Sequence, residues 1–153
     1  MPKKANIVPA APFLKTFNVN EICLPSGRER SQLPSGEIRA YSGGEIVIDK
    51  GVVPNSVFIL REGTAVLLFF GAHGELLTAR PVESGEMLGL TESIAGAPFN
   101  ACLKAVTECR IESFEIEEFI GLLKTKGDLL FNVLRRLAIG LQECLIPFKI
   151  SSL

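Results

Sequence analysis

From Ile38 onward, short runs of β-branched, aliphatic and aromatic residues are divided by glycine at close intervals. The runs are Glu45–Ile48, Ser56–Arg61, Thr64–Phe70, Glu75–Val82, Asn100–Thr107 and Arg110–Ile116. The dividers are Gly43-Gly44, Gly51, Glu62-Gly63, His73-Gly74 and Gly85. Short strands with a turn signal every 8–12 residues or so, about the spacing seen here, predict a sandwich or a small barrel. The run Thr64–Phe70 is apolar almost throughout, which predicts cover on both of its faces.

After Ile116 the hydrophobic period becomes helical. Phe119, Ile120, Leu122 and Leu123 form a short apolar face that stops at Lys124-Thr125-Lys126-Gly127. Gly127 is expected to close this helix, and Asp128 to cap the start of the next. That second helix is expected over Asp128–Leu145, ending before Pro147. Leu130, Leu134, Leu137, Leu141 and Cys144 repeat at intervals of four and three, the spacing of a coiled-coil seam. Leu129, Val133 and Ile139 lie off the seam, so the helix is apolar on more than one side. One side is expected on the barrel and the other on a partner subunit, which makes a homodimer.

Residues 1–36 follow neither period. Pro2, Pro9, Pro12, Pro25 and Pro34, with Leu-Pro-Ser-Gly at Leu24–Gly27 and again at Leu33–Gly36, are turn chemistry. The segment is expected to be irregular, with room for a short helix around Phe13–Phe17.

Composition narrows the function classes. A chain of 153 residues suits one domain with a real core, and 47% hydrophobic against 22% charged residues places it among globular proteins. The net charge is −1, and the only adjacent basic pairs are Lys3-Lys4 and Arg135-Arg136, which argues against a nucleic-acid surface. Cys23, Cys102, Cys109 and Cys144 show no Cys-x-x-Cys spacing, so no metal site is expected. Cys102 and Cys109, within apolar strand-like runs, read as small buried hydrophobes kept reduced in a cytoplasm. The apolar stretches are too short for a membrane span, and Pro9 and Pro12 interrupt any secretion signal. A soluble, cytoplasmic protein is expected. His73 is the one histidine and sits in a turn, while Glu115, Glu117 and Glu118 suit the start of a helix. No nucleophile–base constellation is present in the pattern, so no catalytic residue is assigned and an enzyme is not expected.

Four stretches together resemble one family. They are "YSGGEIVIDKGVVPNSVFILREGTAVLLFF" from Tyr41, "HGELL" from His73, "SGEMLGL" from Ser84 and "APFNACLKAVTECRIESFEIEEFIGLL" from Ala97. Their spacing of Gly44, Gly51, Gly63, Gly74, Gly85 and Gly89 resembles the cyclic-nucleotide-binding domain of the cyclic-AMP receptor protein and oxygen-regulator superfamily. The resemblance implies a mainly β fold with flanking helices: a double-stranded β-helix (jelly-roll) barrel, then a short helix and a long C-terminal dimerisation helix. It divides the chain into an irregular 1–36 and a sensor domain over 37–153.

In that family the loop and short helix after a glycine form a phosphate cassette. A glutamate directly after the glycine accepts from the ribose, and an arginine that follows a proline neutralises the cyclic phosphate. The matching positions here are Leu88, Gly89, Leu90, Thr91, Phe99, Asn100 and Ala101, and they are the candidate ligand-binding residues. Leu90 stands at the glutamate position and Phe99, after Pro98, at the arginine position. Between Gly89 and Ala101 the one charged residue is Glu92.

Both charged anchors are thus apolar. The resemblance and this departure imply a stand-alone sensor or regulatory domain that signals by effector or partner binding and dimer rearrangement, with no cofactor and with cyclic AMP disfavoured. An apolar effector is expected between Leu90, Phe99 and the long helix. Two other readings stay open: a cyclic nucleotide held by backbone N–H groups near Thr91 and the Asn100 amide, and a ligand-free dimerisation module. After Leu145 the text "IPFKISSL" leaves no room for a helix-turn-helix, so direct nucleic-acid binding is not expected.

Overall fold

The computed structural model of the chain describes residues 17–18 and 36–151, with the side chains of residues 18 and 36–142. Strands are β1 (Phe17–Asn18), β2 (Glu37–Tyr41), β3 (Ile46–Ile48), β4 (Ser56–Glu62), β5 (Ala65–Phe70), β6 (Leu76–Val82), β7 (Glu86–Leu88), β8 (Cys102–Ala105) and β9 (Cys109–Glu115). Helices are α1 (Leu90–Ala95) between β7 and β8, then α2 (Ile116–Thr125) and α3 (Gly127–Ser151) after β9. Two antiparallel sheets form, in the orders β1-β7-β4-β9-β2 and β3-β8-β5-β6. This is the jelly-roll with flanking helices that the resemblance implies, and it agrees with the sandwich or barrel predicted from the glycine-divided runs.

All six runs become strands: four are trimmed, β4 runs one residue further to Glu62, and β9 is shifted one residue earlier to Cys109–Glu115. Their limits are set by glycine: the six glycines of the resemblance all take positive φ, and among the described residues nothing but glycine does. At Gly63 the need is doubled, because a Cβ there would lie 2.2 Å from the Glu108 carbonyl oxygen. Three strands escape the sequence pattern: β1, β2 and β7. β2 is exposed at four of its five residues, and β7 is only three residues long. Phe17 is extended and pairs with Met87 rather than ending a helix. Residues 13–16, like the rest of 1–36 apart from Phe17, Asn18 and Gly36, lie outside the described residues.

The strand period of two sends alternate side chains of β4 to opposite sides of the five-stranded sheet. Leu60 joins Tyr41, Leu67, Leu88, Phe99, Leu103 and Ile111 in a core between the two sheets. Val57 and Ile59 join Met87, Phe114, Phe119, Leu123, Leu129 and Val133 in a second core beneath α2 and α3. Strand β5 departs from expectation. Ala65 and Leu67 are buried, but Val66, Leu68, Phe69 and Phe70 are only half-buried. No layer of described residues closes over its second face, where Val66 lies opposite Lys104 and Pro81, and Leu68 opposite Cys102 and Ala79.

The junction of the last two helices also differs. Lys126, extended at φ −126 and ψ 91, makes the break that was assigned to Gly127. Its N–H donates to Leu122 O, closing α2, and its carbonyl accepts from Leu130 N–H, opening α3. One extended residue serves both ends, so no left-handed residue is needed; Asp128 lies in the first turn of α3 rather than capping it. α3 does not stop before Pro147 but continues to Ser151. A proline removes one backbone donor and need not end the helix when the residues beyond it stay helical.

The sides of α3 separate clearly. Leu129 and Val133 are buried in the helix core, while Leu130, Leu134, Leu141 and also Phe131 are exposed. Leu137, expected on the seam, is half-buried and packs on that core, and among the described residues no later α3 side chain joins it; Ile139, expected on the barrel, is exposed.

Candidate functional site

The candidate cassette begins where β7 turns into α1. Gly89 sits at φ 83 and ψ −1, and a Cβ there would stand 3.0 Å from the Ser56 carbonyl oxygen of β4. Positive φ and the close approach to β4 are both met most cheaply by glycine. Ser93 ties the short helix down: its N–H donates to Gly89 O at 3.0 Å and its hydroxyl to Ser56 O at 3.3 Å. Gly96, at φ 65, ends α1 after six residues.

The chain then runs extended beside the turn before β4. Gly51 N–H donates to Phe99 O, and Phe99 N–H donates to Val52 O, each at 2.8 Å. That double tie aims the Phe99 ring between the sheets, where it is 4% exposed and packs with Leu88 and Ala101. Leu90, 2% exposed, belongs to the other core, beneath α2 and α3. The space expected between Leu90, Phe99 and the long helix is therefore not one space. The chain reverses at Gly89, which turns Leu90 towards the helices while Leu88 and Phe99 stay in the barrel. Thr91 and Asn100 are exposed. The Thr91 hydroxyl donates to the Glu92 carboxylate, so the first turn of α1 already carries an anion.

A charged pair that no sequence period marks precedes the cassette. Arg80 of β6 donates through Nη1 to Glu86 Oε1 at 3.0 Å, and its Nη2 pairs with Oε2. Glu83 N–H donates to the same Oε1 at 3.0 Å. Glu86 is 4% exposed, a buried carboxylate held by a two-pronged guanidinium. The sequence signal was an arginine just upstream of "SGEMLGL", which no strand or helix period marks.

The sequence model of the cyclic nucleotide-binding domain matches residues 38–126. The chain belongs to the cyclic nucleotide-binding domain family. The fold of this family member is similar to that of the catabolite activator protein of Thermus thermophilus, with TM-score 0.76 and 18% identity, covering 86% of this chain. The chain spans 63% of that protein's length. It is also similar to the sensor domain of the transcriptional regulator DNR from Pseudomonas aeruginosa, at TM-score 0.65 and 14% identity over 71% of this chain and 73% of that one. A third likeness is to the regulatory domain of Toxoplasma gondii PKA, crystallised with cAMP, at TM-score 0.59 and 21% identity over 71% of this chain and 42% of that one. No curated protein sequence matches the chain.

Within this cyclic nucleotide-binding-type domain the remaining reactive groups are quiet. Burial pushes the Cys102 thiol pKa up, and the nearby Asp49 charge adds to it. Burial does the same for Cys109, whose thiol contacts Thr64 O at 3.1 Å. The side chains of Cys23 and Cys144 lie outside the described residues. His73 is exposed in its turn, with its backbone N–H donating to the Glu75 carboxylate. Among the described residues there is no group of three or more metal-ligating side chains, and no helix is long and apolar enough to cross a membrane.

Proposed function

We propose that this chain is a regulatory domain of the cyclic-AMP-receptor type that does not bind cyclic AMP tightly and that works through contacts of its long helix. The observation that carries this reading is Phe99, 4% exposed within the barrel core at the position the family resemblance gives to the phosphate-neutralising arginine. A nucleotide would have to displace a buried ring contributing about 1.5–3 kcal/mol. Arg80, the basic side chain nearest upstream of the cassette, would not be free to meet it, because it is already bonded to Glu86. Glu92 at the start of α1 adds a like charge to an approaching phosphate.

The reading is non-catalytic. Output passes through the exposed side of α3, where Leu130, Leu134 and Leu141 pair with a second copy. A bound effector or partner acts by biasing that pairing, since a ligand shifts an equilibrium only by its differential affinity for the two states.

Titration calorimetry of the full chain with cyclic AMP and cyclic GMP tests the first half. No binding heat is expected up to millimolar nucleotide. Micromolar affinity for either one overturns the reading in favour of a cassette that binds through its backbone alone.

A further inference from the structure

Outside the barrel, the fold leaves an open apolar groove of about 320 Å³ where α1, α2 and α3 meet. Its lining includes Leu123 of α2 and Val133 of α3, which are buried core, and Ile94 of α1 and Leu134 of α3, which are 48% and 53% exposed. Lys124, at the last turn of α2, is the single ionisable side chain on the lining. Among the described residues it makes no ion pair.

We propose that this groove binds a free medium-chain aliphatic carboxylate, with its tail on Leu123 and Val133 and its carboxylate on Lys124. Two properties of the groove lead to that chemistry. A lining of aliphatic side chains offers no hydrogen bond to a sugar, base or phosphate, so a polar ligand would be desolvated without compensation. The lone cation at its edge favours an anion at one end of the ligand. Size follows from volume: at the roughly 30 Å³ that a water molecule occupies in the liquid, 320 Å³ holds about ten non-hydrogen atoms, which is octanoate. The volume also falls at the small end of known ligand sites.

The site is separate from the nucleotide position, and the proposal does not depend on the state of the cassette. A ligand here touches Ile94 on the cassette helix and Leu134 on the output helix at once. Leu130 and Leu134, both on the lining, also belong to the exposed seam of α3, so occupancy and self-association are coupled.

Calorimetry of the full chain with hexanoate, octanoate, decanoate, dodecanoate and octanol tests the proposal. Each methylene between hexanoate and octanoate should tighten binding about fourfold. The gain should stop once the groove is full, and octanoate should bind severalfold tighter than octanol. In Lys124→Ala, an exposed substitution that leaves the core intact, the preference for octanoate over octanol should vanish while octanol affinity is kept. Absence of octanoate binding overturns the proposal. So does equal affinity for octanoate and octanol in the unaltered chain, or a gain that continues without limit through dodecanoate, which is adsorption. Sedimentation of the same samples adds one outcome: a dimer that excludes octanoate assigns the groove to a second copy and overturns the proposal as well.

Discussion

Arg80 and Glu86 join the two sheets through a paired guanidinium–carboxylate contact, with Glu86 4% and Arg80 about one-fifth exposed. The asymmetry of burial sets the order of two substitutions. Arg80→Ala takes the counter-charge from a buried carboxylate that keeps its bond from Glu83 N–H, and should cost about 3–5 kcal/mol. Glu86→Ala leaves a cation that reaches water, and should cost nearer to about 1–3 kcal/mol. The double variant should lose less than the sum. Urea unfolding followed by circular dichroism measures all three, and equal costs for the single variants would contradict the pairing as described.

Leu90 and Phe99 fill different cores, and their energetics should therefore be independent. Leu90→Ala should destabilise by about 2–5 kcal/mol and Phe99→Ala by about 3–5 kcal/mol. With no shared neighbours the two losses should add to within about 0.5 kcal/mol. A coupling energy above about 1 kcal/mol in the double-mutant cycle would put the two side chains in one space after all.

The exposed side of α3 predicts self-association that is separable from folding. Leu134 and Leu141 are 53% and 61% exposed, so Leu134→Asp with Leu141→Asp should leave the melting temperature of the domain's own core nearly unchanged while halving its sedimenting mass. Val133→Asp, at 2% exposure, should instead unfold the chain. A Leu134→Asp, Leu141→Asp variant that sediments like the original would remove the seam.

Cys102 and Cys109 should resist thiol reagents in the folded chain, reacting only as fast as it opens. Their raised pKa has a consequence for stability. The folded state keeps protons that the unfolded state releases above 9.0, so this contribution is intact below pH 9.0 and shrinks as pH rises beyond it. Unfolding free energies between pH 7 and 10 should therefore fall at the alkaline end, and Cys102→Ala with Cys109→Ala should flatten that fall. An alkaline slope unchanged in the double variant would assign it to other groups.

The strands were legible because their boundaries have a local cause. A positive φ requires glycine, and Gly44, Gly51, Gly63, Gly74, Gly85 and Gly89 mark those turns in the text itself. The two-sided character of α3 was legible in part. The period separates Leu129 and Val133 from Leu130, Leu134 and Leu141. It put Leu137 on the seam and Ile139 on the barrel, whereas Leu137 packs on the core and Ile139 is exposed. β2 and β7 were not legible. The first has little burial to impose a pattern, and the second is too short to show one. The break at Lys126 and the continuation through Pro147 depended on which hydrogen bonds the neighbouring turns could still make.

What the amino-acid order determined alone was the alternation of turns and apolar runs, the apolar residues on more than one side of α3, and the apolar side chains of Leu90 and Phe99. Tertiary structure decided where those sides and residues went. Leu129 and Val133 turn inward because α2 presents Phe119 and Leu123 to them, which leaves Leu130 and Leu134 outward. Leu90 and Phe99 part company because the reversal at Gly89 and the bonds to Gly51 and Val52 point them into cores on opposite sides of one sheet. Direction is a property of the folded backbone, and no periodicity in the chain encodes it.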